Sequence, residues 1–124
     1  MNKCKTASTG SKCYKCDFEK ETMYKMYVGL SDQYTHRQRI STRRALCYLM
    51  KICSRYFADY TVYRSINGYT RNNKRYCENG FIVEIFSSKL KCVERVAAIL
   101  AKVFNQSRIY ISKYDIIWES IRNI

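Results

Sequence analysis

The sequence predicts an α+β chain whose elements run β-α-β-β-α-β. Three observations carry that expectation. Two windows space their apolar residues as helices do, four shorter windows alternate or run apolar as strands do, and turn residues collect between them. In this order, two helices packed on one face of a four-stranded antiparallel sheet make the split, ferredoxin-like arrangement.

Residues 1–21 are rich in Lys, Ser and Thr and lack sustained periodicity, so they are expected to form a flexible leader. Residues 22–124 then make a single α+β ligand-binding domain ending in a short tail. In "MYKMYVGLSD", Tyr24, Met26, Val28 and Leu30 alternate with Lys25, Tyr27 and Gly29, the period of a half-buried strand. A polar loop follows over 32–40. From Ser41 to Phe57 the spacing turns helical, with Leu46, Leu49, Met50, Cys53 and Phe57 on one face. Ile40-Ser41-Thr42 supplies a staple residue and a capping hydroxyl at its start. "YTVYRSI", residues 60–66, reads as a second strand. Asn67-Gly68 and Asn72-Asn73 are the expected reversals before "FIVEIF", residues 81–86. Ser87-Ser88 is expected to cap a second helix through Phe104, packed by Leu90, Val93, Ala97, Leu100 and Phe104, with Asn105 at its exit. "SRIYIS" gives a fourth strand, and the amphipathic "YDIIWESIRNI" reads as a docking helix.

Hydrophobic residues make up 47% of the 124 and charged residues 27%, a globular balance. Charge is the outlier. Lys and Arg total 23 against 10 Asp and Glu, a formal +13, which attracts nucleotides, nucleic acid or anionic surfaces. No apolar run approaches the ~18 residues of a membrane span, and the polar start lacks the apolar segment of a secretory signal. Seven cysteines are the wrong number for a closed disulfide set, and Cys47, Cys53 and Cys92 fall in helical patterns, as in a reduced cytoplasmic protein. Cys4, Cys13 and Cys16 offer three thiolates, but no second cysteine pair completes a structural zinc site, so no metal is expected.

No acid–base constellation stands out. His36, the single histidine, sits among arginines in a polar loop, where a surface role is the plainer reading. Asp32, Asp59, Glu78 and Glu84 lie in separate elements, and no glycine-rich phosphate loop is present. A binding protein is therefore expected and an enzyme is not. "THRQRISTRR" places four arginines around a helix start, where cations oppose the helix dipole by roughly 0.3–1 kcal/mol each. Arg37, Arg39, Arg43 and Arg44 can fork onto phosphate oxygens, and the free N–H groups of the first turn point the same way. The plain alternative is a solvated basic surface. Twelve tyrosines are interleaved with Lys and Arg. Most are good strand formers, but Tyr69 offers a stacking plane and Asn79 a donor and an acceptor for a base edge or ribose.

The element order, with "YKMYVGLSD", "ISTRRALCYLMKICSRYF", "YTVYRSINGY" and "ENGFIVEIF", resembles the phage anti-Thoeris proteins of the first type, from about Tyr24 to Ser112. The resemblance implies a signal sponge. Such proteins bind, without cleaving, the cyclic ADP-ribose isomers made by bacterial TIR-domain enzymes, and some bind cyclic oligonucleotides of related CBASS-type defences. It implies dimers that can assemble further, with pockets between subunits, working in the infected host's cytoplasm without a cofactor. By position, it implies a pocket of Arg44, Tyr69 and Asn79, with Arg43, Arg39 and Arg108 as phosphate helpers. A sheet covered on one face also leaves the other free for a partner, so a homodimer is expected.

Two other readings remain open from the residues. A small basic RNA- or DNA-binding protein would use the +13 charge and sheet tyrosines, although no RNP-like string is present. An enzyme acting on nucleotides is the third.

Overall fold

The computed structural model describes residues 14–123 and has the expected order: β1 (Tyr14–Gly29), α1 (Thr42–Tyr56), β2 (Asp59–Arg71), β3 (Lys74–Phe86), α2 (Leu90–Val103) and β4 (Tyr110–Asn123). The four strands form one antiparallel sheet in the order β2-β3-β1-β4. Both helices cover one face. Tyr24, Met26 and Val28 of β1 and Phe81, Val83 and Ile85 of β3 alternate onto that face. They meet Ala45, Leu49 and Cys53 of α1 and Val93, Val96, Ala97 and Leu100 of α2 in a continuous core. Burial pushes the Cys53 thiol up to about 12, so it packs as a small apolar residue.

Each helix departs slightly from its expected face. Met50 and Leu90 are exposed, while Val96 joins the core. Ser41 caps α1, its Oγ accepting from the Arg44 N–H at 3.3 Å. Replacing Ser41 with alanine should cost about 1 kcal/mol in urea unfolding, since that N–H loses its partner. Ser87-Ser88 does not cap α2, which starts later. Lys89 is its N-cap without a side-chain bond, and Ser87 instead has a positive φ of 54° and donates to Glu21.

The larger differences lie at the ends of the strands. Asn67-Gly68 is not a reversal: Asn67 pairs with Glu78 and Gly68 with Cys77 inside a longer hairpin. Its turn is Asn72-Asn73, with φ of 51° and 61°, the left-handed values that a two-residue hairpin loop requires. β1 reaches back to Tyr14, into the expected leader; residues 1–13 lie outside the described ones. The expected tail helix is the second half of β4, pairing back along β1 from Thr22↔Asp115 to Tyr14↔Asn123. Its Tyr, Ile and Trp content suits a strand, and the pairing supplies what local periodicity does not.

The sheet thus carries two arms at opposite ends. β2 and β3 overhang past Gly29↔Gly80, and β1 and β4 overhang past Met23↔Phe86. On the face bare of helices, Tyr63 donates to Glu84 at 3.0 Å, Lys25 pairs with Glu84 at 3.4 Å, and the Lys25 ammonium lies over the Tyr114 ring. No helix among the described residues is long and apolar enough to cross a membrane.

Candidate functional site

One open cleft of about 500 Å³ lies where the β2–β3 arm overhangs the end of the sheet. Three segments wall it: the loop after β1 (Ser31, Asp32, Gln33, His36), the arm (Tyr69, Thr70, Arg71, Glu78), and the entry to β4 (Gln106, Ser107, Arg108, Tyr110).

Asp32 organises the loop. It is 2% exposed, and its Oδ2 accepts from the Tyr34 N–H at 3.0 Å and the Thr35 N–H at 3.1 Å. Its Oδ1 accepts from the Asn105 amide and meets Arg39 Nε at 3.4 Å. These contacts, led by the Asn105 bond, hold its carboxyl down at about 2 from an ordinary 3.8. The chain reverses around it, Asp32 N–H donating to the Arg37 carbonyl and His36 N–H to the Asp32 carbonyl. Gln33 and Gln106 then bind the loop to the exit of α2. Asn105 takes up the left-handed conformation that ends that helix, as expected.

The arm presents aromatic rings. Tyr69 and Tyr76 are direct cross-strand partners, stacked with centroids 5.2 Å apart and planes 16° apart. His36 stacks on Tyr76 at 4.9 Å, and its Nδ1 lies 3.1 Å from the Tyr69 hydroxyl. The Arg71 guanidinium sits over the Tyr69 ring at 5.8 Å. Burial, followed by the nearby Glu78 carboxylate, raises the Tyr69 hydroxyl's pKa. Glu78 accepts from the Ser31 N–H at 3.0 Å, packed against Gly29, where a Cβ would oblige the Glu78 carboxylate and the Gln106 amide to shift. The cleft therefore holds a flat aromatic platform, cations at Arg71 and Arg108, and a carboxylate at Glu78.

Of the residues that the sequence marks out, Tyr69 and Arg108 line this cleft together. Arg39 lies behind it, on Asp32. Arg43 and Arg44 occupy the first turn of α1, Arg44 donating to Tyr48 at 3.2 Å with its guanidinium over that ring. Asn79 donates to Gln38 at 2.8 Å, tying the arm to the loop before α1. Arg71, Tyr76, Glu78, Gln106 and Tyr110 carry no mark of a site in the sequence, and His36 belongs to the aromatic stack instead of a bare surface. A signal for two of them exists: once the turn is placed at Asn72-Asn73, its register sets Tyr76 opposite Tyr69 and Arg71 two residues from it. Cys47, Cys53, Cys77 and Cys92 are free thiols, and the zinc question posed by Cys4, Cys13 and Cys16 lies outside the described side chains.

No protein-family model matches the chain, and no curated protein sequence does. Solved structures do match, and phage and bacterial proteins among them share the ferredoxin-like α+β fold that the element order and sheet of this chain define. A phage SAM lyase in complex with S-methyl-5'-thioadenosine aligns over 81% of this chain and 88% of its own, with 13% identity and a TM-score of 0.59. The same kind of lyase in its apo state aligns over 85% and 90%, with 14% identity and a TM-score of 0.61. CutA from Synechococcus elongatus aligns over 84% and 85%, with 9% identity and a TM-score of 0.53.

The expectation that the chain is not an enzyme is corrected here. A lyase is built on this fold, so a scarcity of acid–base pairs in the sequence does not exclude catalysis on it. The fold itself explains why: Glu78, distant in the chain from the loop that holds Asp32 and His36, meets them at one cleft.

Proposed function

We propose that this chain is a phage anti-defence protein that binds an adenine nucleotide signal of the cyclic ADP-ribose class in the cleft beneath the β2–β3 arm, inside the infected bacterial cell. The observation that carries the reading is one cleft lined by Tyr69, with Arg71 over its ring, and by Arg108. Arg71 swings from the Tyr69 face to the pyrophosphate beside Arg108, adenine stacks on the tyrosine in its place, and Glu78 and Gln106 meet ribose hydroxyls. Arg39, Arg43 and Arg44 add an attractive field from the adjoining loop and helix start. The phage source of two of the structural neighbours supports the reading, as does the adenine nucleoside bound in one of them. A cyclic oligonucleotide offers the same chemical handles.

Calorimetry of the full chain against glycocyclic ADP-ribose, cyclic tri-adenylate, S-adenosylmethionine and a short single-stranded oligonucleotide, at two salt concentrations, tests this. A cyclic nucleotide should bind stoichiometrically with a shallow salt dependence, because few phosphates are neutralised. Chromatography of the recovered ligand then separates binding from turnover. The +13 charge favours one rival, a nucleic-acid-binding protein. Binding confined to the oligonucleotide, with a steep salt slope, would establish that rival and overturn the cleft reading.

A further inference from the structure

β4 is the last strand of the sheet, so along Tyr110–Asn123 one side of its backbone has no neighbour among the described residues. Several of its side chains are uncovered too: Tyr110 is 64% exposed, Ile117 69% and Ile121 63%. Folded chains guard such edges with proline, bulges, clustered lysines or a covering loop. Here the chain contains no proline, and the strand pairs regularly with β1 along its whole length. Beyond Met23 the β1–β4 arm is only two strands wide, a width marginal in water on its own.

The order of residues along this edge says what covers it. Read outward from Ile116 in both directions, β4 is nearly its own complement. Asp115 stands against Ile117, Tyr114 against Trp118, Lys113 against Glu119, Ser112 against Ser120, Ile111 against Ile121, and Tyr110 against Arg122. We infer that two copies of this chain join edge to edge through β4, antiparallel, about a two-fold axis at Ile116, into one continuous eight-stranded sheet. In that register each of these pairs is directly cross-strand and shares a face. Aromatic meets aromatic, aliphatic meets aliphatic, and Lys113 meets Glu119 twice, once on each side of the axis. Neither Lys113 nor Glu119 has an ion-pair partner within the chain among the described residues.

Neighbouring registers fail. A slip of one residue sets side chains from opposite faces against each other. An axis at Ile117 opposes Asp115 to Glu119 and leaves Lys113 against Ile121. An axis at Asp115 sets Lys113 against Ile117 and Glu119 against Ile111. The other free edge, β2, makes no comparable ladder: centred on Ser65, it pairs Val62 with Gly68 and Tyr63 with Asn67. The homodimer expected from the bare sheet face is thus moved to the sheet edge. If the cleft reading holds, the pairing also matters to ligand binding, since Tyr110 lines the cleft and faces Arg122 of the second copy.

Sedimentation velocity of the full chain across a concentration series tests the pairing without reference to any ligand. The unaltered chain should dimerise. Lys113→Glu and Glu119→Lys each oppose like charges twice per dimer and should weaken it about tenfold or more. The double variant re-forms both pairs with their signs exchanged and should recover the dimer. A chain monomeric at every concentration overturns the proposal. So does a dimer indifferent to either single reversal, or a double variant that stays dissociated.

Discussion

Replacing Tyr69 with alanine should weaken binding of a cyclic ADP-ribose-type ligand by roughly 1–3 kcal/mol, about 5- to 150-fold in Kd. The effect is expected to be large because the ring has several dependants. It is the surface on which adenine would stack, it lies beneath the Arg71 guanidinium, and its hydroxyl is 3.1 Å from His36 Nδ1. Truncation leaves Tyr76 with only one of its two stacking partners, His36, and Arg71 without the ring beneath it. Tyr69→Phe separates the contributions: it keeps the platform and drops only the His36 contact, so its loss should be the smaller of the two. Calorimetry measures both, with circular dichroism checking the fold. Unchanged affinity in the alanine variant would remove the arm from the binding site.

Acid should undo the loop after β1 through one group, Asp32. Its carboxyl is held at about 2 in the folded chain against an ordinary 3.8, so the folded state prefers it ionised. The sign follows. Because the folded pKa is depressed, the associated stability is fully present above about pH 5 and shrinks as the pH falls through 3.8 towards 2. Asp32→Asn, which cannot ionise, should lower the thermal midpoint at pH 7 by roughly 10 °C. Its amide N–H₂ would replace one of the two accepting oxygens and so face either the Tyr34 and Thr35 N–H groups or the Asn105 amide, donor against donor. The variant and the natural chain should converge as the pH drops towards 2. Parallel pH profiles, with a constant gap between the two midpoints, would show that the Asp32 charge is not what holds the loop.

The central body of the fold is legible because burial imposes a period. Met26, Val28, Val83 and Leu49 face one core, and their spacing alone announces it. The arms are not legible, and the reason is physical. A two-stranded arm shows both faces to solvent, so it carries no apolar contrast to mark its period or its ends. Asn67-Gly68 misleads because a dipeptide that suits a turn also fits inside a strand when Glu78 and Cys77 lie opposite. "YDIIWESIRNI" reads as an amphipathic helix because its strand character depends on a partner roughly a hundred residues away along the chain. The cleft follows the same rule. Tyr69 and Arg108 are visible by type, whereas Glu78 joins them through the hairpin register and through a loop, curled by a buried carboxylate, whose Ser31 N–H it accepts.

The cleft's walls come from residues 31–36, 69–78 and 106–110, three stretches that an unfolded chain keeps far apart. Any small molecule gripping all three acts as a reversible cross-link, favouring the folded chain in proportion to how far its concentration exceeds its Kd. At a hundredfold excess that linkage is worth about 2.7 kcal/mol, enough to move a melting curve by several degrees. The protein is thereby its own assay. A library of nucleotides can be ranked by heating the chain with each in turn, with no label attached and the preferred compound left for the melting curves to reveal.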